Sequence, residues 1–217
     1  MGTPTKYAFV DLETTGGSAQ HDRITEIAII RVEGESVTRY QSLINPQQHI
    51  SPFIESITGI SNAMVADAPE FADVADEVWA WLQDCVFVAH NVRFDYGFLK
   101  QAFERVGKDF QPEQLCTVKL SRRLYPEHKH HGLDQLIQRH GLRMSQRHRA
   151  MADADAIYQF WQLVQREFDD ETLQAACLKV MNKPSLPVYL NPLSIDTLYN
   201  GYGVYLIYGD NDLPLYI

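Results

Sequence analysis

Apolar and β-branched stretches alternate with turn-forming residues near the start of the chain and predict three strands. The three stretches are residues 7–10, 24–32 and 37–44. Asp11 ends the first stretch, and Gly34 separates the second from the third. Because β-branched residues favour extended backbone and glycine favours a break, we expect three successive strands in an antiparallel meander.

After residue 46 the apolar spacing becomes helical. Six segments have this spacing: residues 51–57, 71–82, 92–106, 119–124, 133–140 and 150–168. Two short apolar segments, residues 86–89 and 115–118, predict a fourth and a fifth strand, and the first of them suits a central position in a sheet. Strands followed by alternating helices and strands predict an α/β fold, with a mixed five-stranded sheet flanked by helices.

The pattern changes again after residue 168. Residues 169–183 have a helical pattern, and the prolines within residues 183–187 predict a linker. Two β-prone runs then flank the turn-forming residues 209–212, which predicts a β-hairpin. We therefore predict three parts: a domain over residues 1–168, a helix and linker over residues 169–196, and the hairpin over residues 197–217.

Composition and charge describe an acidic globular protein with one basic segment. The chain has 217 residues, of which 45% are hydrophobic and 22% charged, and its formal net charge is −9. That net charge does not favour general binding of polyanions. From Lys119 to Arg149, however, eight basic residues are opposed by two acidic ones. This basic segment predicts a phosphate-binding face, and a solvated surface is the alternative interpretation.

Several protein classes are disfavoured by the sequence. The three cysteines form no CxxC pair, so neither a disulfide framework nor a zinc knuckle is predicted. The first ten residues lead into a strand pattern without the features of a signal peptide, and no apolar run reaches the length of a membrane span. We therefore expect a cytoplasmic protein without a membrane partner.

Two carboxylates stand at the end of the first predicted strand. Asp11 and Glu13 are two residues apart, and side chains alternate along a strand, so both should point to one face. Ionised carboxylates beside an apolar core are costly when unpaired, and a shared pair of cations would offset that cost. A solvated strand end is the alternative.

Asp95 occupies an apolar position of the helix predicted over residues 92–106. The apolar residues that share its spacing of three and four are Val92, Leu99, Ala102 and Val106. An aspartate in such a seam indicates a metal ion or another strong partner. The alternative is a residue of the first helical turn that is favoured there by the helix dipole.

His148 and Asp153 are five residues apart, which on one continuous helix would separate them by about 140°. If the helix begins near Ala150, His148 lies on the preceding loop and can fold back towards Asp153. Asp155 then faces away from Asp153 and is expected to be solvated. Carboxylate oxygens suit Mg²⁺ or Mn²⁺, and a histidine, which ordinarily titrates near neutral pH, suits a general base.

Three motifs that carry these residues occur in a specific order. They are FVDLETTG, HNVRFDYGFL and HRAMADADA, at residues 9–16, 90–99 and 148–156. Over about residues 5–168 the chain resembles the DEDDh subgroup of 3′–5′ exonucleases, which is related to the epsilon proofreading subunit of bacterial replicative polymerases. The position of His148, five residues before Asp153, is typical of this subgroup.

The resemblance implies a ribonuclease-H-like fold and a site for two Mg²⁺ or Mn²⁺ ions. Asp11 would bridge both ions, with Glu13 and Asp153 completing the nucleophile-side site. Asp95 would support the second ion, and His148 would activate the hydrolytic water. Three further residues would contact the terminal 3′-hydroxyl or lie near the strand: the Leu12 backbone, Thr14 and Asn91.

The end of the chain resembles a second family. The tripeptides at residues 203–205 and 215–217 are similar to the opening hairpin of a GIY-YIG nuclease domain, and Tyr205 and Tyr216 are eleven residues apart, as in that motif. The arginine and glutamate that this family uses later are absent, so we expect no endonuclease activity from the tail. Our hypothesis is a truncated exonuclease–endonuclease fusion, and a simple C-terminal hairpin is the alternative.

The function implied is that of a metal-dependent 3′–5′ exonuclease that releases nucleoside 5′-monophosphates from a single-stranded 3′ end, with DNA favoured over RNA. Two alternatives stay open: a small-RNA exoribonuclease, and a non-catalytic module that binds nucleic acid or docks a partner. The complete set of five motif residues argues against the non-catalytic module. A polymerase or repair partner is expected by analogy only.

Overall fold

The structure, a computed structural model, describes residues 6–145 and 147–181 of the chain. These residues form strands and helices in the order β1 (Lys6–Thr14), β2 (Ile24–Glu33), β3 (Ser36–Leu43), α1 (Pro52–Thr58), α2 (Asn62–Val65), α3 (Phe71–Leu82), β4 (Val86–Ala89), α4 (Arg93–Arg105), β5 (Gln114–Cys116), α5 (Thr117–Leu124), α6 (Leu133–His140), α7 (Ala150–Glu167) and α8 (Asp170–Met181).

The five strands form one mixed sheet in the order β3-β2-β1-β4-β5. Strands β1, β2 and β3 are antiparallel neighbours, whereas β4 is parallel to both β1 and β5. The predicted α/β class, the mixed five-stranded sheet and the meander are therefore confirmed. Strand β4 is buried along its whole length, but it lies one strand from the edge, and β1 is the central strand.

Helix α7 packs against β1 and β2, and its contact with β1 includes aromatic pairs. The ring centroids of Tyr7 and Trp161 are 4.8 Å apart, and those of Phe9 and Tyr158 are 5.2 Å apart. Because side chains alternate along a strand, every second residue after Tyr7 and Phe9 faces α7 as well. The next such positions are held by acidic residues, so the carboxylates of β1 lie on the side of the sheet that α7 covers.

Strand β1 and helix α2 differ most from the sequence prediction, whereas the fifth strand ends two residues earlier than predicted, at Cys116. Strand β1 continues past residue 10 to Thr14, because its backbone still pairs with β2 at Asp11 and Glu13. Both carboxylates therefore lie within a strand, not at its end. Helix α2 was not predicted, because its four residues are too few to form an apolar seam. Its first turn is capped by the Ser61 side chain, which accepts the Met64 N–H.

The C-terminal parts fall mostly outside the described residues. Helix α8 lies within the helical segment predicted over residues 169–183. The linker and the hairpin predicted over residues 197–217, with their likeness to a GIY-YIG domain, lie outside the described residues. In the part of the chain that the structure describes, no helix combines the length and the apolar character that a membrane crossing requires.

Candidate active site

One cleft contains every site residue predicted from the sequence. The cleft has a volume of about 520 Å³ and lies where β1 and β4 end and α7 begins. The predicted residues that line it are Asp11, Leu12, Glu13, Thr14, Asn91, Asp95, His148 and Asp153. The fold therefore brings together three segments that are far apart in the sequence.

Strand β1 contributes two carboxylates that resist ionisation. Burial, together with the negative charges of Asp153 and Glu26, raises the pKa of Glu13 to about 8. Burial also raises the pKa of Asp11, and the nearby Asp95 carboxylate adds to the effect. A cation in the cleft would favour the ionised forms of both groups, since an opposite charge lowers the pKa of a carboxyl.

Helix α4 places Asp95 against the backbone of β1. Asp95 lies in the first turn of α4 and is 3% exposed, and its Oδ1 accepts the Leu12 N–H at 3.1 Å. Burial raises the pKa of Asp95, and the neighbouring Glu13 and Asp153 carboxylates add to the effect. The predicted intrusion into an apolar seam is real, because Leu99 is buried on the same helix.

The loop before α7 brings His148 next to Asp153. Helix α7 begins at Ala150, so His148 precedes the helix as predicted, and its N–H lies 3.3 Å from Asp153 Oδ2. One potential ligand atom from each of Glu13, His148 and Asp153 lies within 4.8 Å of the others. Asp155 is partly exposed, as expected for a residue that faces away from Asp153, and it pairs with Arg39 at 3.2 Å.

The donor set fits divalent cations. Asp153 Oδ1 is buried and has no hydrogen-bond partner among the described residues. Arg147 pairs with Asp153 through Oδ2, which leaves Oδ1 and three other carboxylates for a cation to satisfy, since buried polar groups without partners are costly. The four acidic residues, called the acidic cluster below, are Asp11, Glu13, Asp95 and Asp153. Their hard oxygen atoms match Mg²⁺ or Mn²⁺ better than softer metals.

Arg147 is a cleft residue that the sequence prediction assigned only to the basic segment. Its side chain contacts Asp153 and also pairs with Asp134, with 2.5 Å between Arg147 Nε and Asp134 Oδ1. These contacts place one positive charge against the acidic cluster. Its position next to His148 could have indicated the role, but charge counting alone could not separate it from solvated arginines.

His90 is a second cleft residue that sequence reasoning missed. Burial, together with the positive charge of Arg147, lowers the pKa of His90 to about 4, so the ring is neutral at physiological pH. Its Nδ1 lies 3.0 Å from the Thr117 hydroxyl. The signal available in the sequence was its position directly before Asn91. In the structure Asn91 is exposed and has a left-handed φ of 66°.

Five arginines of the basic segment fall into two groups. Arg147 and Arg149 pair with acidic side chains of the core, whereas Arg122, Arg123 and Arg143 are exposed. The first group supports the local structure of the site. The phosphate-binding face predicted for the whole segment stays a prediction.

Comparison of sequences reveals a family and a group of relatives. The family model described as Exonuclease (RNase_T) matches residues 8–161. The DNA polymerase III PolC-type protein of Oceanobacillus iheyensis is 40% identical over 168 residues, which are 76% of this chain and 12% of that relative. The chain therefore spans only a small part of the relative's length.

Comparison of structures reveals the same architecture in two nucleases. Exonuclease X, in complex with 5′ overhanging duplex DNA, has a TM-score of 0.60 and 27% identity, with 79% of this chain and 99% of that chain covered. The zinc-bound E. coli Exonuclease I complex with single-stranded DNA has a TM-score of 0.69 and 23% identity, with 80% and 42% covered. At 23% identity, the likeness to Exonuclease I is evidence for the fold alone. The expected ribonuclease-H-like fold is confirmed.

Proposed function

The chain belongs to the RNase_T exonuclease family, and on that basis we propose that it removes nucleotides from the 3′ end of DNA as nucleoside 5′-monophosphates. One observation carries the proposal. The acidic cluster and His148, which come from three distant motifs, line a single cleft. A binding module without catalysis has no need for four carboxylates in a place where a phosphate must approach, since they would repel it.

The acidic cluster is the proposed metal site. Exonucleases of this family depend on divalent metal ions, and we propose two Mg²⁺ or Mn²⁺ ions held by Asp11, Glu13, Asp95 and Asp153. Such ions stabilise the negative charge that develops on the attacking and leaving oxygens of a phosphodiester. The buried, unpartnered Asp153 Oδ1 supports this assignment. The resistance of Asp11 and Glu13 to ionisation in the metal-free chain supports it too.

His148 is the proposed general base. It lies on a loop at the cleft, within reach of Glu13 and Asp153, where a water molecule could approach the last phosphodiester. The ring would take a proton from that water as its oxygen attacks phosphorus. The bond between phosphorus and the 3′-oxygen of the penultimate nucleotide then breaks, and that oxygen leaves with the bonding electron pair and takes up a proton from solvent. The products are a nucleoside 5′-monophosphate and a strand shortened by one nucleotide with a new 3′-hydroxyl.

Contacts with the terminal nucleotide are proposed for three residues of the cleft. The Thr14 hydroxyl donates to the Gly16 carbonyl at 2.6 Å, and its oxygen can still accept a hydrogen bond from a 3′-hydroxyl. The Leu12 N–H already donates to Asp95, so a contact of Leu12 with substrate would use its other atoms. Asn91 is exposed at the cleft and can meet the strand.

The sequence relative and the two structural neighbours favour DNA over RNA as the substrate. The relative at 40% identity is a DNA polymerase, and both structural neighbours named above were solved with DNA. We propose a single-stranded 3′ end as substrate and a replicative polymerase or repair complex as the setting, with proofreading as the corresponding role.

The proposal is tested with labelled single-stranded DNA, duplex DNA and RNA of one sequence. Each is incubated with Mg²⁺, Mn²⁺ or EDTA, and the released products are identified. We expect nucleoside 5′-monophosphates from single-stranded DNA with either ion and none with EDTA. Faster release from RNA would favour the small-RNA exoribonuclease instead. Activity that persists in EDTA would contradict the metal site, and binding without any release would favour the non-catalytic module.

A further inference from the structure

A buried ion pair beside the cleft has no part in the proposed metal site or substrate contacts. Glu26, on β2, is 0% exposed, and its pairing residue is Arg149. The Glu26 carboxylate accepts bonds from four donors: Gln41 Nε2 at 2.8 Å, Arg149 Nε at 3.1 Å, Arg149 Nη2 at 2.8 Å and the Ala150 N–H at 3.0 Å. Planar, two-point binding of this kind fixes the orientation of both partners.

This pair connects the central part of the sheet to the start of α7. Glu26 stands directly opposite Glu13 in the β1–β2 register, so the two side chains share one face of the sheet. Arg149 is the N-cap residue of α7, and its carbonyl accepts the Asp153 N–H at 3.1 Å. One side-chain pair thus links the strand next to Glu13 with the helical turn that carries Asp153.

His148 lies in a backbone conformation that needs such support. Its φ of 57° is in the left-handed region, which side chains with a Cβ adopt rarely. Conformations of this kind persist when the surrounding structure holds them. Both neighbours of His148 are held by acids: Arg147 by Asp134 and Asp153, and Arg149 by Glu26.

We infer that the Glu26–Arg149 pair positions His148, by fixing the backbone of residues 148–150 relative to β2. The inference rests on the proposed function, in which His148 takes a proton from the attacking water. Glu26 and Arg149 are positioning residues, because neither is among the described residues that line the cleft. Their loss should therefore misplace the base without removing a substrate contact or a metal ligand.

The test compares two variants with a control on the same strand. Glu26→Gln keeps the size of the side chain but loses the charge and the two-point geometry, and Arg149→Lys keeps the charge but loses the fork. Glu33→Gln is the matched control, because Glu33 also lies on β2 and pairs with Lys6 at 2.8 Å, far from the cleft. For each variant we measure kcat and KM on single-stranded DNA, Mn²⁺ affinity, and hydrogen exchange of the Ala150 amide.

We expect Glu26→Gln to lower kcat at saturating Mn²⁺ tenfold or more, with KM within threefold of the wild type and faster exchange at Ala150. Mn²⁺ affinity should change by less than kcat, through the charge lost beside Glu13. Arg149→Lys should show an intermediate loss, and Glu33→Gln no loss. If Ala150 exchanges faster while kcat stays within twofold, the pair is only structural and the inference is wrong. A rise in KM at constant kcat also overturns it. Failure of the wild-type chain to release nucleotides would contradict the proposed function, not the positioning role. In that case, Ala150 exchange in Glu26→Gln that equals the wild-type rate would still refute the positioning role.

Discussion

Replacement of Glu13 by glutamine should stabilise the metal-free protein while it abolishes nuclease activity. Glu13 is buried on β1, and Asp153 and Glu26 add negative charge around it. Ionisation of this group is therefore unfavourable in the folded chain unless a cation is present. Glutamine keeps the shape of the side chain and cannot ionise. The substitution therefore has opposite effects on the stability of the metal-free protein and on the proposed metal site.

The size of the effect follows from the pKa of Glu13, which is raised from its ordinary 4.5 to about 8. The stability that protonated Glu13 contributes is fully present below about pH 4.5 and is lost as the pH rises through about 8. At pH 7 the free energy of unfolding is therefore lower by roughly 3 kcal/mol, since each pH unit above about 4.5 costs about 1.4 kcal/mol. For a domain of this size the melting temperature of Glu13→Gln should then be higher by roughly 6–12 °C.

The assay is thermal unfolding of both proteins in EDTA from pH 4 to pH 8. The difference should be small near pH 4 and should grow towards pH 8. Added Mn²⁺ should stabilise the wild type and have less effect on the variant. Glu35→Gln, at an exposed position between β2 and β3, is the control and should unfold like the wild type throughout. Equal or lower stability of Glu13→Gln at pH 8 in EDTA would refute the reasoning.

Two further predictions concern the base and the metal. His148→Ala should lower kcat by about 10²-fold or more with KM within threefold, as expected for loss of a general base, and an unchanged kcat in steady-state kinetics would remove that role. Because the pKa values of Glu13, Asp11 and Asp95 are raised, Mn²⁺ must displace protons, so its affinity should increase from pH 6 to pH 8. Titration calorimetry that finds no dependence on pH would contradict the raised pKa values.

Much of the fold was predictable because burial patterns follow strand and helix geometry. The β-branched stretch of β2 and the apolar β4 are buried as their patterns indicate. The end of β1 was not predictable in this way, because Asp11 and Glu13 interrupt the apolar run while the backbone continues to pair with β2. Backbone pairing depends on the partner strand, and the sequence of one strand does not contain that information.

The site could be predicted where the spacing of residues along the chain determines the direction of their side chains. Alternation along a strand puts Asp11 and Glu13 on one side, and the five-residue interval requires His148 to precede its helix. The supporting residues could not be found by spacing. Glu26 and Arg149 are 123 positions apart, and their pairing arises from the register of β1 with β2 and the packing of α7. A buried glutamate in an apolar strand was the only local sign of it.

The central claim, a metal-dependent 3′–5′ exonuclease centred on the acidic cluster, is tested most directly by Asp11→Ala. Single-stranded DNA with a label at its 5′ end is incubated with Mg²⁺ and either protein, and the products are separated by length. The wild type should produce a ladder of labelled strands that shorten stepwise from the 3′ end. The variant should leave the strand intact. Undiminished shortening by the variant, or release of the labelled 5′ nucleotide first by the wild type, would contradict the account.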